Sequence, residues 1–447
     1  MESRRGRDRR VGQKPTDVAV AGRRVPAAPD RSLLSFADQP RFAWSTEDAT
    51  VVTGGAALTL VAHGPDRFEA VKGDARRLFE SLERPDDLAE VARPRLFGGF
   101  AFHEAHGMPA DGPWQGFPGA LFVLPAIQLT RTAAGTWLTT AAAGSDRHDV
   151  AADRLERWTE RLAALPAQSP SGPPGIRRRR PRPDRSGWRD QVETALASID
   201  GGALDKVVLA QSLSVDLDGD LRVPDALARL AQTYPDCTRF LVDPSGAGSF
   251  FGATPERLVR LSGRDVDTTV LAGSTGRGET SDEDDWLATE LTRSDKDLHE
   301  HEVVLDAVRD QLAPMTESIT TADRRVRTLA TVQHLETPVS ATLDRDRHVL
   351  DLVEALHPTP AVGGMPQDAA LRAIREHEGF DRGWYAAPVG WIDADGDGGF
   401  SVALRSAVAR GNRATLFAGA GIVADSEPDR EWSELQLKYR PVLDVLE

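Results

Sequence analysis

The first half of the chain alternates short apolar segments with polar ones at two different periods. Residues 49–64 and 120–132 place apolar side chains at every second position or in short continuous runs, which is typical of β-strands. Residues 66–84 and 148–165 instead repeat apolar side chains every three or four positions, which is typical of amphipathic helices. Residues 31–165 are therefore predicted to form the N-terminal half of a fold that mixes strands with helices.

The second half, residues 186–447, continues this mixture, and its predicted strands outnumber its helices. One helical pattern begins at Ser281 with acidic residues in its first turn, as the helix dipole favours, and it is expected to run to about Leu312. Hairpins recur and no regular alternation of strand and helix is present. This order predicts an α+β fold with large antiparallel sheets.

Two segments lack any core-forming pattern. Residues 1–30 are rich in arginine, proline, glycine and alanine, so we expect a disordered basic N-terminus. Residues 166–185 are rich in proline, glycine and arginine, and we expect a loop at the surface between the two halves.

The composition excludes several classes of protein. The chain has 447 residues, is 40% hydrophobic and carries a net charge of −15, which argues against binding to nucleic acid or to anionic membranes. No run of about 18 apolar residues is present to span a membrane, and the N-terminus lacks the apolar stretch of a secretory signal. A single cysteine, Cys237, rules out an internal disulfide and a cysteine-based zinc site. We therefore expect a cytoplasmic protein.

Lysine is rare in this sequence, since nearly all basic residues are arginine. The five lysines are Lys14, Lys72, Lys206, Lys296 and Lys438. A lysine can lose its proton when burial removes water from its ammonium group, whereas arginine stays charged in proteins. The few lysines are therefore candidates for chemistry, and the alternative is that they form ordinary salt bridges.

Two glutamates stand out by their positions on predicted helices. Glu300 shares an apolar stripe with Val303 and Val304, and Glu434 lies one turn before Lys438. A carboxylate on a buried face needs a partner or a metal ion. Two glutamates from separate helices form a ligand set that magnesium accepts, completed by water and substrate oxygens. Salt-bridged surface glutamates are the alternative interpretation at this point.

The acidic segment at residues 393–398 is a weaker candidate. It opens like a calcium-binding EF-hand loop, but its twelfth position is Leu404 where that loop needs a glutamate. Because strand-like segments lie on both sides, we predict a hairpin turn here.

A series of short motifs over about residues 186–447 resembles the chorismate-utilising enzymes, which include the isochorismate, salicylate, anthranilate and aminodeoxychorismate synthases. In chain order these motifs are KVVLAQ, FFGATPERLVRL, LAGSTGRG, KDLHEHEVV, VQHLETPV, HPTPAVGGMP, FDRGWYAAPVGW, ALRSA, LFAGAGIV and EWSELQLK. FGGFAFHE, near Phe97, is a further and weaker similarity in the first half. The resemblance implies two large packed antiparallel β-sheets with helices outside, as in anthranilate synthase component I, closed around one deep site.

The resemblance also assigns two catalytic roles. Lys206 occupies a strand position where ammonia-using members carry glutamine and water-using members carry lysine as the general base that activates water. Glu256 matches the general acid that protonates the departing hydroxyl, a role that needs a carboxyl with a raised pKa. Ala272 stands where aminodeoxychorismate synthases often carry a nucleophilic lysine, which argues against that branch.

The remaining roles implied by the resemblance concern the metal ion and the substrate. Glu300 and Glu434 would hold Mg²⁺, which would bind the ring carboxylate of chorismate. The residues implied to contact the substrate are Ser274, His334, Arg405, Gly419, Gly421 and Lys438. The residues implied to support them are Lys296, Asp297 and Glu431. Gln211 departs from the pattern, because isochorismate synthases commonly carry arginine there, and we expect it to affect packing rather than chemistry.

The expected activity is magnesium-dependent conversion of chorismate to isochorismate, with water adding at C2 and the C4 hydroxyl leaving. The segment HPTPAVGG favours this product over salicylate. A salicylate synthase is the alternative enzyme, and a non-catalytic chorismate-binding homologue is the alternative from another class. The resemblance further implies a monomer that needs no glutaminase subunit. We expect the product to serve menaquinone synthesis first, and a catechol siderophore second.

Overall fold

The computed structural model describes residues 8–9, 17–26, 30–107, 111–165 and 171–447. Across these residues the helices are α1 (Asp30–Phe36), α2 (Arg67–Glu80), α3 (Arg147–Ala164), α4 (Arg185–Asp200), α5 (Val223–Thr233), α6 (Ser281–Arg293), α7 (Asp295–Leu312), α8 (Val349–Leu356), α9 (Gln367–His377) and α10 (Pro428–Leu443). Short 3₁₀ helices lie at Glu90–Ala92 and Ala313–Met315.

The strands of the same residues run through both halves of the chain. They are β1 (Asp8–Arg9), β2 (Val18–Val25), β3 (Arg41–Ser45), β4 (Ala49–Ala62), β5 (Leu82–Glu83), β6 (Leu96–Phe100), β7 (Ala120–Thr132), β8 (Gly135–Ala143), β9 (Ile176–Arg182), β10 (Lys206–Leu217), β11 (Thr238–Asp243), β12 (Ser249–Thr254), β13 (Arg257–Ser262), β14 (Asp265–Gly276), β15 (Thr316–Thr321), β16 (Arg325–Thr328), β17 (Val332–Leu343), β18 (Gly364–Met365), β19 (Pro388–Ile392), β20 (Gly398–Val402), β21 (Ser406–Arg410) and β22 (Arg413–Ile422).

The strands form an antiparallel sheet system that divides into two arms at β7. One arm has the order β2-β8-β7-β4-β3-β11-β12-β21-β22-β10-β9. The other leaves β7 through β6 and continues β19-β20-β13-β14-β17, with β15 and β16 on its outer edge. Short parallel pairs, β1 with β4 and β2 with β5, are added at the edges. The predicted α+β class with large antiparallel sheets is confirmed.

The two halves of the sequence share these sheets. Strand β3 of the first half pairs with β11 of the second, and β6 pairs with β19. Buried apolar side chains from both halves join in one continuous core. Among the largest fully buried side chains are Trp114, Trp188 and Trp384. The indole of Trp384 donates to the carbonyl of Pro118 at 2.8 Å, which fixes a C-terminal loop against the first half.

Two expectations about irregular segments are corrected. Part of the N-terminus expected to be disordered forms β2, which pairs along its full length with β8; residues 1–7, 10–16 and 27–29 lie outside the described residues. In the expected 166–185 loop, β9 pairs with β10 as an edge strand, and α4 starts at Arg185. The side chains of β9 are almost all exposed, so its pairing depends on the backbone and leaves no alternating apolar pattern to recognise.

The single helix expected from Ser281 to about Leu312 is also wrong. Ser294 ends α6 in an extended conformation and caps α7, where its hydroxyl accepts the N–H of Asp297 at 3.2 Å. Serine favours such a capping position because its side chain replaces a missing helical acceptor. The break sets the direction of α7 over β14. The hairpin expected at residues 393–398 is confirmed between β19 and β20. No helix in the described part of the chain has the length and apolar character needed to cross a bilayer.

Candidate active site

A cavity of about 460 Å³ opens between the two arms of the sheet, with α7 and α10 beside it. Nine of the ten residues predicted from the sequence line it: Glu256, Ser274, Glu300, His334, Arg405, Gly419, Gly421, Glu434 and Lys438. They come from β14, β17, β22, α7, α10 and the connections between strands, so only the folded chain brings them together. The volume falls in the range that binds small molecules.

The tenth predicted residue, Lys206, lies just behind the cavity wall. It is the first residue of β10 and is 3% exposed, and its Nζ donates to Oε1 of Glu300 at 2.6 Å. Gly421 of β22 covers this pair. A β-carbon at Gly421 would lie 3.1 Å from both Oε1 of Glu300 and Cε of Lys206. Glycine therefore leaves the room that the ion pair needs beside the strand.

Glu300 is placed by the apolar face of α7, as the sequence predicted. His301, Val304 and Val308 on this helix are buried, and Glu300 reaches the cavity from the same helix. Burial alone would raise the pKa of Glu300, but the ammonium of Lys206 outweighs it, so the pKa lies below its ordinary value. Glu300 is therefore an anion facing the cavity at neutral pH.

The pKa of Glu256 is shifted in the opposite direction from that of Glu300. It lies between β12 and β13 with its side chain buried, and burial raises its pKa to about 7. The positive charges of Lys206, Lys438 and Arg405 oppose that rise only in part. Near neutral pH a large fraction of Glu256 is therefore protonated, which gives the cavity a carboxylic acid able to donate a proton.

Ser274, His334 and Arg405 form a hydrogen-bonded series along one wall. Nη2 of Arg405 lies 3.4 Å from Nε2 of His334, and Nδ1 of His334 lies 2.7 Å from Oγ of Ser274. Burial, with Arg405 next in effect, holds the pKa of His334 well below its usual range, so the ring is neutral. Since Arg405 can only donate, Nε2 accepts and Nδ1–H donates to Ser274. The hydroxyl hydrogen of Ser274 is then available to a ligand.

Arg405 combines an unusual backbone with a buried donor. Its φ is +50°, a left-handed conformation that non-glycine residues seldom adopt outside functional sites. Within the part of the chain that the structure describes, Nη1 of Arg405 is buried and finds no acceptor. A guanidinium held in this way suits a planar carboxylate, which can accept two hydrogen bonds from its fork.

Lys438 reaches the same cavity from α10. Its Nζ donates to the carbonyl of Gly419 at 2.8 Å and pairs with Glu434 one turn earlier on the helix. The predicted contact of Glu434 with Lys438 on one face of the helix is therefore present. Lys206, Lys438 and Arg405 together place positive charge at the cavity, although the chain carries a net charge of −15.

The carboxylates of α7 and α10 form the part of the cavity best suited to a cation. Burial and the nearby Glu434 raise the pKa of Glu431, and burial and Glu300 raise that of Asp297. These negative charges repel one another, and a bound cation would reduce that repulsion. Among the described residues no three acidic, histidine or cysteine side chains surround one point. Magnesium fits this arrangement, because it takes one or two carboxylates and completes its shell with water and substrate oxygens.

The expected supporting residues also lie at the cavity. Lys296, Asp297 and Glu431 line it, and Nζ of Lys296 lies 3.6 Å from Oε1 of Glu431. Gln211 does not line it. Its side chain donates to the carbonyl of Pro183 at 2.8 Å, which agrees with the packing role expected for it.

Sequence reasoning missed two cavity residues inside a motif that it quoted, FDRGWYAAPVGW. Tyr385 is buried at the cavity with its ring stacked on Phe417, and its hydroxyl lies 3.2 Å from the position of a β-carbon on Gly419. Arg382 is 1% exposed and borders the same space. The motif itself was the available signal, because a tyrosine and an arginine among apolar neighbours need polar partners.

Comparison with known proteins relates this chain to one family. The family described as "Chorismate binding enzyme" matches residues 28–447. The "Salicylate biosynthesis isochorismate synthase" of Pseudomonas aeruginosa is 37% identical over 98% of this chain and 93% of its own length. "Isochorismate synthase MenF" of Bacillus subtilis is 33% identical over 91% of this chain and 88% of its own.

Solved structures agree in fold. The structure of MenF from Escherichia coli, described as the menaquinone-specific isochorismate synthase, matches with a TM-score of 0.80 and 26% identity, over 98% of this chain and 97% of that one. Anthranilate synthase component I from Streptococcus pneumoniae matches with a TM-score of 0.72 over 99% and 95% of the two chains, at 22% identity, and so shares the fold. The architecture implied by the sequence motifs is confirmed.

Proposed function

The chain belongs to the chorismate-binding enzyme family, and we propose that it is an isochorismate synthase. In this reaction water adds at C2 of chorismate, the ring double bonds shift, and the C4 hydroxyl leaves as water. The observation that carries the proposal is the placement of two buried groups at one site: Glu256 lines the cavity, and Lys206 lies just behind its wall, close enough to lower the pKa of Glu256. A lysine base and a carboxylic acid are the two groups that the reaction needs.

The two groups move protons in opposite directions. Lys206 takes a proton from the attacking water, and Glu256 gives one to the departing hydroxyl. The raised pKa of Glu256, about 7, supports the second role. Lys206 can fill the first role only as the neutral amine, because the ammonium that donates to Glu300 at 2.6 Å has no lone pair. Before the attack it must therefore release one proton to solvent and exchange its contact with Glu300 for one with the attacking water. The glycine at Gly421 leaves the space in which that exchange occurs.

Chorismate carries two carboxylates, and the positive and hydrogen-donating groups of the cavity match them. Arg405 has a buried donor without a protein acceptor among the described residues, and the hydroxyl of Ser274 is left free by its bond from His334. Lys438 and the backbone N–H groups of Gly419 and Gly421 complete the proposed contacts. Arginine gives the planar, two-bonded contact that orients a carboxylate.

Glu300 and Glu434 would hold Mg²⁺ in the proposed enzyme. When bound, the ion supplies positive charge that anchors the ring carboxylate of the substrate. The chain's own contribution is two anionic oxygen donors on separate helices, both facing the cavity. Lys206 and Lys438 pair with these same two carboxylates, so each lysine would share its partner with the ion.

The proposed pathway is menaquinone synthesis, with a siderophore or salicylate pathway as the alternative. The match of TM-score 0.80 to a menaquinone-specific enzyme supports the first, and the relative named for salicylate biosynthesis supports the second. Deleting the gene and measuring menaquinone in lipid extracts separates the two. A strain that keeps its menaquinone but loses a secreted catechol or salicylate would place the enzyme in the alternative pathway.

The direct test of the activity is to incubate the purified protein with chorismate and magnesium, without ammonia or glutamine, and to separate the products by chromatography. We expect isochorismate as the product. The reaction should reach the same mixture of chorismate and isochorismate whichever of the two is supplied at the start. Salicylate with pyruvate as main products would assign the chain to the salicylate synthases. Binding of chorismate without any product would assign it to the non-catalytic homologues.

A further inference from the structure

A buried ion pair lies at the edge of the cavity, where Arg382 is one of the lining residues. Glu378 follows the end of α9, and Arg382 lies in the turn after it; their side chains are 2% and 1% exposed. Nε of Arg382 donates to Oε2 of Glu378 at 2.8 Å, and Nη2 donates to Oε1. The two charges of the pair neutralise each other. Arg382 and Glu378 also make hydrogen bonds to other parts of the chain, and these bonds indicate what the pair does.

Those contacts connect two walls of the cavity. Nη2 of Arg382 donates to the carbonyl of Val208 in β10 at 2.7 Å, and Nη1 donates to the carbonyl of Val362 at 2.9 Å. Glu378 adds a second link to β10 by accepting the N–H of Ala210 at 2.7 Å. Val208 and Val362 both line the cavity. One guanidinium therefore joins the strand that begins with Lys206 to residues 358–363, the loop after α8.

The first half of the chain supports this connection from behind. The ring of Phe102 lies against the guanidinium of Arg382, with 4.4 Å between its centroid and Cζ. The N–H of Phe102 donates to the carbonyl of Gly383 at 2.7 Å. Nε2 of His357, at the start of the loop, donates to the carbonyl of Phe102 at 3.1 Å. Phe102 thus touches both the arginine and the segment that the arginine holds.

We propose that Arg382 is a positioning residue for the reaction: backed by Phe102, it sets the separation between β10 and the 358–363 loop and thereby the position of Lys206 relative to the substrate. Four of its five N–H donors are used by Glu378, Val208 and Val362, so nearly all of its hydrogen-bonding capacity goes to the protein rather than to a ligand. Only the planar fork of arginine reaches these acceptors together; a lysine offers one point charge.

The inference rests on the proposed function, and it is tested by comparing Arg382→Lys with Arg41→Lys. Arg41 is the matched control, because it pairs with the buried Asp243 across β3 and β11 and does not line the cavity. A displacement of about 1 Å at reacting groups can cost about a hundredfold in rate. We expect Arg382→Lys to lower kcat by about that factor with little change in KM, and Arg41→Lys to lower only Tm.

A second variant, Phe102→Leu, removes the ring that packs against the guanidinium of Arg382 and leaves Arg382 in place. It also tests the proposal if Arg382→Lys does not fold. We expect a smaller fall in kcat, again with little change in KM, at temperatures well below Tm. An Arg382→Lys enzyme that keeps the parent kcat, or a Phe102→Leu enzyme whose kcat matches the parent, would overturn the positioning role. A parent enzyme that makes no isochorismate would instead overturn the proposed function.

Discussion

The two halves of the chain contribute to the same sheets but differ in what they bring to the cavity. Every described residue that lines the cavity lies between Val208 and Lys438, in the second half. The first half supplies β3, β4, β6, β7 and β8. Its described residues reach the site from behind, for example Phe102, which contacts Arg382, and Trp114, which stacks on Phe417. The residues that line the cavity and the residues that support it are therefore separated along the sequence, although they are interleaved in space.

The largest effect on kcat is expected at Lys206, the proposed base. Lys206→Arg keeps the positive charge beside Glu300 but removes the capacity to accept a proton near neutral pH. General-base assistance is worth on the order of 10²–10⁴ in rate, so kcat should fall by about that much while substrate binding persists. Steady-state kinetics with Lys206→Ala as the comparison check this. If Lys206→Arg kept a kcat close to that of the parent while Lys206→Ala was inactive, the role of Lys206 would be electrostatic only.

Glu256→Gln should cause the second-largest fall in kcat, because the amide keeps the shape of the side chain but cannot protonate the leaving hydroxyl. In its proposed role Glu256 acts in its protonated form, which is lost as pH rises through its pKa of about 7. In the parent, kcat/KM should therefore fall on the alkaline side from about pH 7, and this limb should vanish in the residual activity of the variant. An unchanged alkaline limb in Glu256→Gln would assign that ionisation to another group.

Glu300→Gln and Glu434→Gln should weaken magnesium binding, since each removes an anionic oxygen from a hard cation. Loss of residues that merely support a metal ligand costs about 10–100-fold in affinity, so loss of a ligand should cost at least that. Titration with magnesium, followed by activity and by calorimetry, measures the change. Unchanged affinity in both variants would remove these two glutamates from the metal site.

The smallest effect on turnover is expected in the first half. Leu60 of β4 is buried and lies in the half that does not line the cavity. Leu60→Ala should lower the free energy of unfolding by about 2–5 kcal/mol through the cavity that it creates, and leave kcat and KM unchanged below Tm. Denaturant unfolding and kinetics on one preparation test both parts. A fall in kcat without a fall in stability would contradict the separation between the halves.

Much of the site was predictable because its residues lie in short motifs whose local structure is strong. The apolar stripe of α7 placed Glu300 on a buried face, and the spacing of Glu434 and Lys438 placed both on one face of α10. The contact between Lys206 and Glu300 joins residues 94 positions apart, and no local pattern encodes it. The sequence suggested a lysine base among apolar neighbours, and the fold pairs this lysine with the carboxylate of Glu300.

The misjudged segments share a physical cause. Strand β9 pairs through its backbone while its side chains face solvent, and Ser294 breaks a helical pattern whose apolar spacing continues on both sides. Arg382 and Tyr385 were visible in a quoted motif, but their burial depends on tertiary packing against Phe102 and Phe417. Patterns that report burial of one face therefore miss edge strands, caps and buried polar side chains.

In the proposed mechanism, water from solvent becomes the C2 hydroxyl of the product. Running the reaction with chorismate and magnesium in H₂¹⁸O, and analysing isochorismate by mass spectrometry at early times, tests this directly. We expect one ¹⁸O atom per isochorismate, located on C2. Isochorismate that forms without solvent label would mean that the hydroxyl moves within the substrate, and it would contradict the roles assigned to Lys206 and Glu256.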